Sequence, residues 1–190
     1  GRSSIVIHPP VDTSRFTPAR ERGEHYVTLG RQLPYKRYDL AVAAATKLGR
    51  KLIVFGNGPA HDKLVSIAGP TVEFRTERFG DASDAEYEKA LNSARGFIYA
   101  AEEDFGIVTV EALAAGAPVI GYGKAGTLDI VTDGETGTLF HRQTVDDVID
   151  ALHRAEGIRF FPSKLQRTAK RFDKTLFITK IRKIVGDQLS

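Results

Sequence analysis

Apolar residues along this chain fall into short runs, and segments with a helical repeat separate them. Tyr26-Val27-Thr28-Leu29-Gly30, Lys51 to Phe55, Thr71 to Arg75, Gly96 to Ala100 and Pro118 to Tyr122 are brief and rich in β-branched and aromatic side chains. That is the composition of buried strands. Gly134 to Phe140 reads as a turn leading into a last edge strand. The intervening segments change period. Tyr38 to Leu48 places Leu40, Ala41, Ala44, Ala45 and Leu48 on one face and ends at Gly49. Asp84 to Ala94 turns Tyr87, Leu91 and Ala94 inward, and a helix from about Ile107 runs into Ala-Ala-Gly. Thr144 to Ala155 is amphipathic, with Thr144 placed as N-cap and Asp146 and Asp147 in the first turn. Thr76 to Ser83 reads as an irregular loop, and Ser163 to Leu189 as one or two basic helices. Strand and helix alternate throughout with no internal repeat. The expected fold is therefore α/β: a Rossmann-like, doubly wound parallel sheet with helices on both faces.

The stretch Ala100 to Gly116, AAEEDFGIVTVEALAAG, concentrates the candidate chemistry. A strand hands its carboxyl end to three acids, Glu102, Glu103 and Asp104, then to Phe105-Gly106 and a helix N-terminus. In open α/β sheets, ligands bind at that edge. Free N–H groups of Phe105, Gly106 and Ile107 and the positive end of the helix would hold a phosphate. A carboxylate only accepts hydrogen bonds, so Glu103 and Glu111 suit the hydroxyls of a sugar or ribose. Arg31 and Lys36 follow the first strand, and two cations there suit a diphosphate. Gly56-Asn57-Gly58-Pro59 follows the second strand. It is not a dinucleotide fingerprint, because His61 stands where the third glycine belongs and no acidic ribose ligand is marked downstream. A close strand-to-helix turn explains these glycines at least as well as ligand contact. His8 receives no role.

Bulk properties narrow the picture further. At 190 residues, 42% hydrophobic and 27% charged, one globular domain is expected. There is no cysteine, which excludes disulfides and thiolate metal sites. No apolar run approaches the length of a membrane span, and no signal peptide is visible. An initial Gly in place of Met predicts a fragment of a longer chain. The net charge of +3 is unevenly placed. Arg159 to Lys183 holds nine basic residues against one acid, leaving 18 basic against 23 acidic side chains elsewhere. A solvated helix face is the plain explanation, since no aromatic residues form a stacking platform for nucleic acid.

Glu103 and Glu111 have seven residues between them, Phe105-Gly106 follows the first, and Ala-x-Gly-x-Pro-Val-Ile closes the run. This pattern resembles the signature of retaining GT-B glycosyltransferases, and its wording looks closest to bacterial polysaccharide mannosyltransferases. The resemblance extends from about Ile5 to about Arg154 and covers the C-terminal, nucleotide-sugar-binding half of such enzymes. It implies a crossover segment and linker over 1–24, a core over 25–157 and basic C-terminal helices over 158–190, with the acceptor-binding domain outside this chain. It also implies roles. Glu111 would hold the ribose hydroxyls and Glu103 the donor-sugar hydroxyls. Arg31 and Lys36 would neutralise the diphosphate, and backbone N–H groups at Phe105, Gly106 and Ile107 would meet sugar and phosphate. Gly56 and Gly58 correspond to the family's Gly-x-Gly-Pro loop, and Arg75 and Thr76 to its nucleobase pocket. Arg-Thr replaces the usual small pair there. Ala125 precedes a lone Gly126 where relatives have two glycines, and Asp129 replaces a Glu.

The implied activity is retaining hexosyl transfer from a GDP- or UDP-sugar, of the GDP-mannose or UDP-glucose type, without cofactor or metal. The acceptor would be a glycan or a polyprenyl-linked glycan in polysaccharide biosynthesis. The expected location is cytoplasmic, and the basic tail would admit peripheral contact with the inner face of the membrane. No nucleic acid is expected. Two alternatives stay open: a nucleotide-sugar-binding module without turnover of its own, and a membrane-surface or nucleic-acid binder acting through the basic tail.

Overall fold

Each apolar run becomes a strand of one sheet: β1 (Tyr26–Leu29), β2 (Leu52–Phe55), β3 (Val72–Arg75), β4 (Gly96–Tyr99), β5 (Val119–Tyr122) and β6 (Gly137–Phe140). The computed structural model describes residues 4–76 and 81–189. The helices are α1 (Tyr38–Leu48), α2 (His61–Ile67), α3 (Asp81–Ser93), α4 (Ile107–Ala114), α5 (Thr127–Ile130), α6 (Val145–Glu156), α7 (Pro162–Ala169) and α8 (Lys174–Leu189). All strand pairs are parallel, in the order β3-β2-β1-β4-β5-β6. The order reverses between β1 and β4, which is the topological switch point of a doubly wound sheet. Only Tyr26↔Gly96 and Val27↔Phe97 pair across that junction. The carboxyl ends of β1 and β4 therefore part, and a crevice opens between their loops.

Alternate strand residues serve opposite faces, as the pleat requires. Tyr26, Leu52, Val54, Ile98 and Ile120 pack with residues of α1 and α6. Val27, Leu29, Phe97, Tyr99 and Val119 pack with residues of α3, α4 and α7. Burial on both sides is what an all-parallel sheet needs. The inner faces expected of α1 and α3 are buried at Leu40, Ala41, Ala44 and Ala45 and at Tyr87 and Leu91. Thr144 caps α6, its side chain accepting from the Asp147 N–H. At the other end of α6, Glu156 takes a two-pronged bond from Arg50, both arms 2.8 Å, and accepts from the Tyr26 hydroxyl at 3.1 Å. This ties α6 to β1 and to the turn after α1.

Several boundaries differ from the sequence reading. Helix α3 begins at Asp81, so Asp81 to Ser83 are helical where a loop was expected. Residues 77–80 of that loop lie outside the described residues. The turn at Gly134 and the edge strand Gly137–Phe140 after it are as expected. Helix α5 is a single turn, too short to carry a periodic signal.

The segment ahead of β1 is docked on the core. Val11 and Phe16 are buried, and the Val11 N–H donates to the Phe172 carbonyl at 2.9 Å. Arg22 reaches the carbonyls of Ala94 (2.9 Å), Ala115 (3.1 Å) and Gly116, so one guanidinium closes the C-terminal ends of both α3 and α4. Burial lowers its pKa to about 10. Helix α8 leaves Leu176, Ile178, Ile181 and Val185 exposed. Among the described residues, no helix is long and apolar enough to cross a membrane.

Candidate functional site

The crevice at the switch point holds an open cavity of about 570 Å³, into which Tyr35, Lys36, Glu103, Phe105, Gly106 and Ile107 contribute. Tyr35 and Lys36 belong to a 3-10 turn, Pro34–Lys36, that Pro34 opens with its fixed φ. The acidic loop supplies the opposite wall. Gly106 caps α4 in a left-handed conformation, φ +85°, and a Cβ there would stand 2.8 Å from the Tyr99 hydroxyl. Only glycine allows both the turn and that approach. The backbone N–H groups of Phe105, Gly106, Ile107 and Val108 have no acceptor among the described residues. They point to the positive end of α4, an arrangement suited to an anion or a hydroxyl oxygen.

Glu103 is the hub of the cavity. Its Oε1 accepts from the Tyr35 hydroxyl at 3.1 Å and faces Lys36 Nζ at 3.1 Å, and its Oε2 accepts from the Tyr99 hydroxyl. Burial alone would raise this carboxyl, but Tyr99, Lys36 and Tyr35 together bring it below the usual carboxylate range. Glu103 is therefore ionised at neutral pH, with both carboxylate oxygens acting only as acceptors. Lys36 rests on Glu103 in this structure, so a phosphate would have to take it over.

Glu111 lies further along α4. Its Oε2 accepts from the Tyr87 hydroxyl at 3.1 Å. Burial pushes its carboxyl up; Tyr87 and Arg15 oppose that shift, and Asp84 and Glu88 add to it. Arg15 itself is engaged by Glu88 at 2.7 Å and Asp84 at 3.8 Å. Tyr87 also packs edge-on against Phe55, with ring centroids 5.5 Å apart. Phe55 in turn lines a second groove of about 300 Å³ together with Arg75, Glu86 and Lys89.

The structure gathers only part of the expected set into one cavity. Lys36, Glu103, Phe105, Gly106 and Ile107 meet there. The Phe105 side chain turns inward, stacking on His8 at 5.3 Å and meeting Phe172 edge-on at 5.3 Å, so its backbone is what faces the cavity. Arg31 is exposed and lies outside the cavity lining. Arg75 lines the second groove and pairs with Glu73 at 2.6 Å, and Thr76 is exposed at the end of β3. Gly56 and Gly58 line neither. A Cβ on Gly56 would run into the Gly30 carbonyl, and one on Gly58 would stand 2.7 Å from the Gln32 carbonyl oxygen. These glycines let the loops after β1 and β2 lie backbone to backbone. Gln32, fully buried, joins them by donating to the Gly56 carbonyl at 2.7 Å.

Sequence reading missed the three tyrosines that hold the two glutamates. Tyr99 and Tyr87 were read as core, and Tyr35 was given no role. The available signal was a phenol at the end of a strand or within a buried helix face, since a buried Tyr hydroxyl needs a partner. Among the described residues, no cluster of His, Asp and Glu fits a metal ion.

Comparison with known proteins follows the same outline. The family model described as "Glycosyl transferases group 1" matches residues 12–172. The D-inositol 3-phosphate glycosyltransferase of Mycobacterium leprae is 30% identical over 168 residues, covering 77% of this chain and 39% of that protein. Its namesake in Actinosynnema mirum is 31% identical over 188 residues, covering 82% and 44%. Both are named for inositol phosphate and not for mannose. The chain thus spans less than half the length of these relatives. Among solved structures, sucrose-phosphate synthase from Thermosynechococcus elongatus superposes with a TM-score of 0.80 at 19% identity, over 95% of this chain and 51% of that one. HepE of Anabaena, solved with UDP and glucose, superposes with a TM-score of 0.78 at 18% identity, over 96% and 56%. These likenesses fix the fold as that of one half of a GT-B protein. On the family match and the two relatives, the chain belongs to the group 1 glycosyl transferases.

Proposed function

We propose that this chain is the donor-binding domain of a retaining GT-B hexosyltransferase that uses a GDP- or UDP-sugar. One observation carries the reading: Lys36, the ionised Glu103 and the free N–H groups at the start of α4 converge on one cavity at the switch point. A nucleoside diphosphate sugar has a matching order of groups. The diphosphate would draw Lys36 away from Glu103 and accept from the α4 N–H groups, with the exposed Arg31 closing from the loop after β1. Glu103, relieved of Lys36, would accept from a sugar hydroxyl, and Glu111 would accept from the ribose. As the glycosidic bond breaks, charge grows on the diphosphate, and fixed donors placed there stabilise the leaving group. No metal enters this scheme. The transferred sugar would go to a glycan or polyprenyl-linked acceptor held by the rest of a longer protein, at the inner face of the cytoplasmic membrane. HepE, with UDP and glucose bound, is a precedent on the same fold.

Titration calorimetry of the chain with UDP, GDP, UDP-glucose and GDP-mannose, in Mg²⁺ and in EDTA, tests the proposal. Binding of one nucleotide and its sugar conjugate with equal affinity in both buffers is expected. Binding that requires Mg²⁺, or no binding of any of the four, would refute it.

A further inference from the structure

We infer that two buried tyrosines are positioning residues for the glutamate pair: Tyr99 sets Glu103, Tyr87 sets Glu111, and each fixes one carboxylate oxygen while leaving the other for a ligand hydroxyl. The inference rests on the donor-site reading and assigns the parts that preorganise it.

The geometry is the same at both acids, although the tyrosines come from different elements. Tyr99 ends β4 and is 5% exposed, and its hydroxyl donates to Glu103 Oε2. Its ring lies beneath Gly106, where any larger residue would strike the hydroxyl. Tyr87 sits within α3 at 3% exposure, and its hydroxyl donates to Glu111 Oε2. Phe55 and Phe16 hold its ring edge-on, at 5.5 and 6.4 Å. The partners of Glu103 Oε1 differ in kind. Tyr35 is 53% exposed, and Lys36 is a flexible cation, so a ligand can displace both. Oε2 is the fixed oxygen and Oε1 the exchangeable one.

A glutamate has several rotatable bonds, and freezing them when a ligand arrives opposes binding. A phenol on a packed ring has already frozen them. Burial first, and the adjacent carboxylate next, push both phenols far above their ordinary range. Each therefore stays protonated and keeps the O–H that it donates to its carboxylate.

Tyr99→Phe and Tyr87→Phe keep the rings and remove only the hydroxyls. Calorimetry with a nucleoside diphosphate and its sugar conjugate should separate them. Tyr99→Phe should leave diphosphate affinity within about twofold and lower the ratio of sugar-nucleotide to nucleotide affinity about tenfold, the size of one hydrogen bond to a charged group. Tyr87→Phe should weaken nucleotide and sugar nucleotide alike by about tenfold and leave that ratio unchanged. Carboxyl NMR of the unliganded chain supplies a readout independent of any ligand. Glu103 should titrate at higher pH in Tyr99→Phe alone, and Glu111 in Tyr87→Phe alone. Equal losses for both ligands in both variants would mark a general packing defect and overturn the inference, as would carboxyl titrations that do not move. If the wild-type chain bound no nucleotide, the donor-site reading would fall, and the carboxyl titrations would still decide the role of the tyrosines.

Discussion

Replacing Glu111 by glutamine should move stability and ligand affinity in opposite directions. Burial raises the Glu111 carboxyl in the folded chain above its value in the unfolded one. The sign follows from linkage: a carboxyl with a raised folded pKa adds stability below its unfolded pKa and loses it as pH rises through the folded pKa. At neutral pH the charged side chain therefore opposes folding, and Gln removes that opposition while keeping the shape. The melting temperature of Glu111→Gln should equal or exceed that of the wild type at about pH 7, with the difference closing towards about pH 4, where the glutamate is itself becoming neutral. Affinity should fall. Oε2 already accepts from Tyr87, so the ribose would bind through the remaining acceptor capacity, and Gln substitutes a donor group for one of the two oxygens. A lost hydrogen bond to a charged group is worth about 1.5–3 kcal/mol, or about 10- to 150-fold in Kd for UDP or GDP. The matched 2′-deoxynucleotide should bind the wild type more weakly and lose little more on mutation. Calorimetry with both nucleotides, beside a thermal melt at two pH values, reads all four quantities. Equal losses for ribo- and deoxyribonucleotide would refute contact with the 2′-hydroxyl. A lower melting temperature at neutral pH would refute the electrostatic argument.

Lys36→Ala should weaken a nucleoside diphosphate by about 1.5–3 kcal/mol and leave the nucleoside unaffected, as measured by calorimetry; equal loss of both would make Lys36 a structural partner of Glu103. Ala125 holds a left-handed backbone at φ +47°, so Ala125→Gly should raise stability by about 0.5–1 kcal/mol in a denaturant melt, the strain relieved outweighing the entropy of glycine. At Glu156, burial alone would raise the carboxyl, but Arg50, Tyr26 and Arg95 bring it below the usual range. Its contribution is present above the unfolded carboxylate pKa and lost as pH falls through the folded one. Glu156→Gln should therefore destabilise at neutral pH, and a series of melts down the acid range should show the gap to wild type narrowing.

Much of the fold was legible because hydrophobic period and strand length are local properties. The ends of α1 and β1 and the start of α4 fall within a residue of where the pattern puts them. The Glu103–Glu111 spacing was legible for the same reason: both acids lie in one continuous loop and helix. Part of what escaped is close in sequence, as Tyr99 is four residues before Glu103, but the rest depends on residues far apart in the chain. The bond from Tyr87 to Glu111 spans 24 positions, and that from Tyr35 to Glu103 spans 68. No local period encodes which hydroxyl meets which carboxylate. Gly56 and Gly58 show the same limit from the other side. A glycine needed for the close approach of two backbones has the same one-letter code as one that cradles a ligand. Residues 1–24 were read as a crossover segment and linker from the family resemblance, which is silent on how they dock, and Arg22 illustrates why. Its partners are backbone carbonyls, which leave no trace in a sequence.

Arg22 joins the trailing ends of α3 and α4, and these are the helices that carry Tyr87 and Glu111. Sliding either helix along its axis would break these bonds, so the amides of their last turns should exchange as one cooperative opening unit. A planar fork with donors on both arms bridges the two helix ends from fixed, separated positions, where a lysine ammonium offers its donors from a single point. The anchor sits at the opposite end of α4 from the cavity, so in the proposed complex the helix would meet its ligand as a fixed post. Adjustment falls instead to the 3-10 turn Pro34–Lys36. There Tyr35 and Lys36 each hold Glu103 by a single exchangeable contact. The site is a vice with one stationary jaw and one sprung jaw, and Arg22 bolts the stationary jaw down.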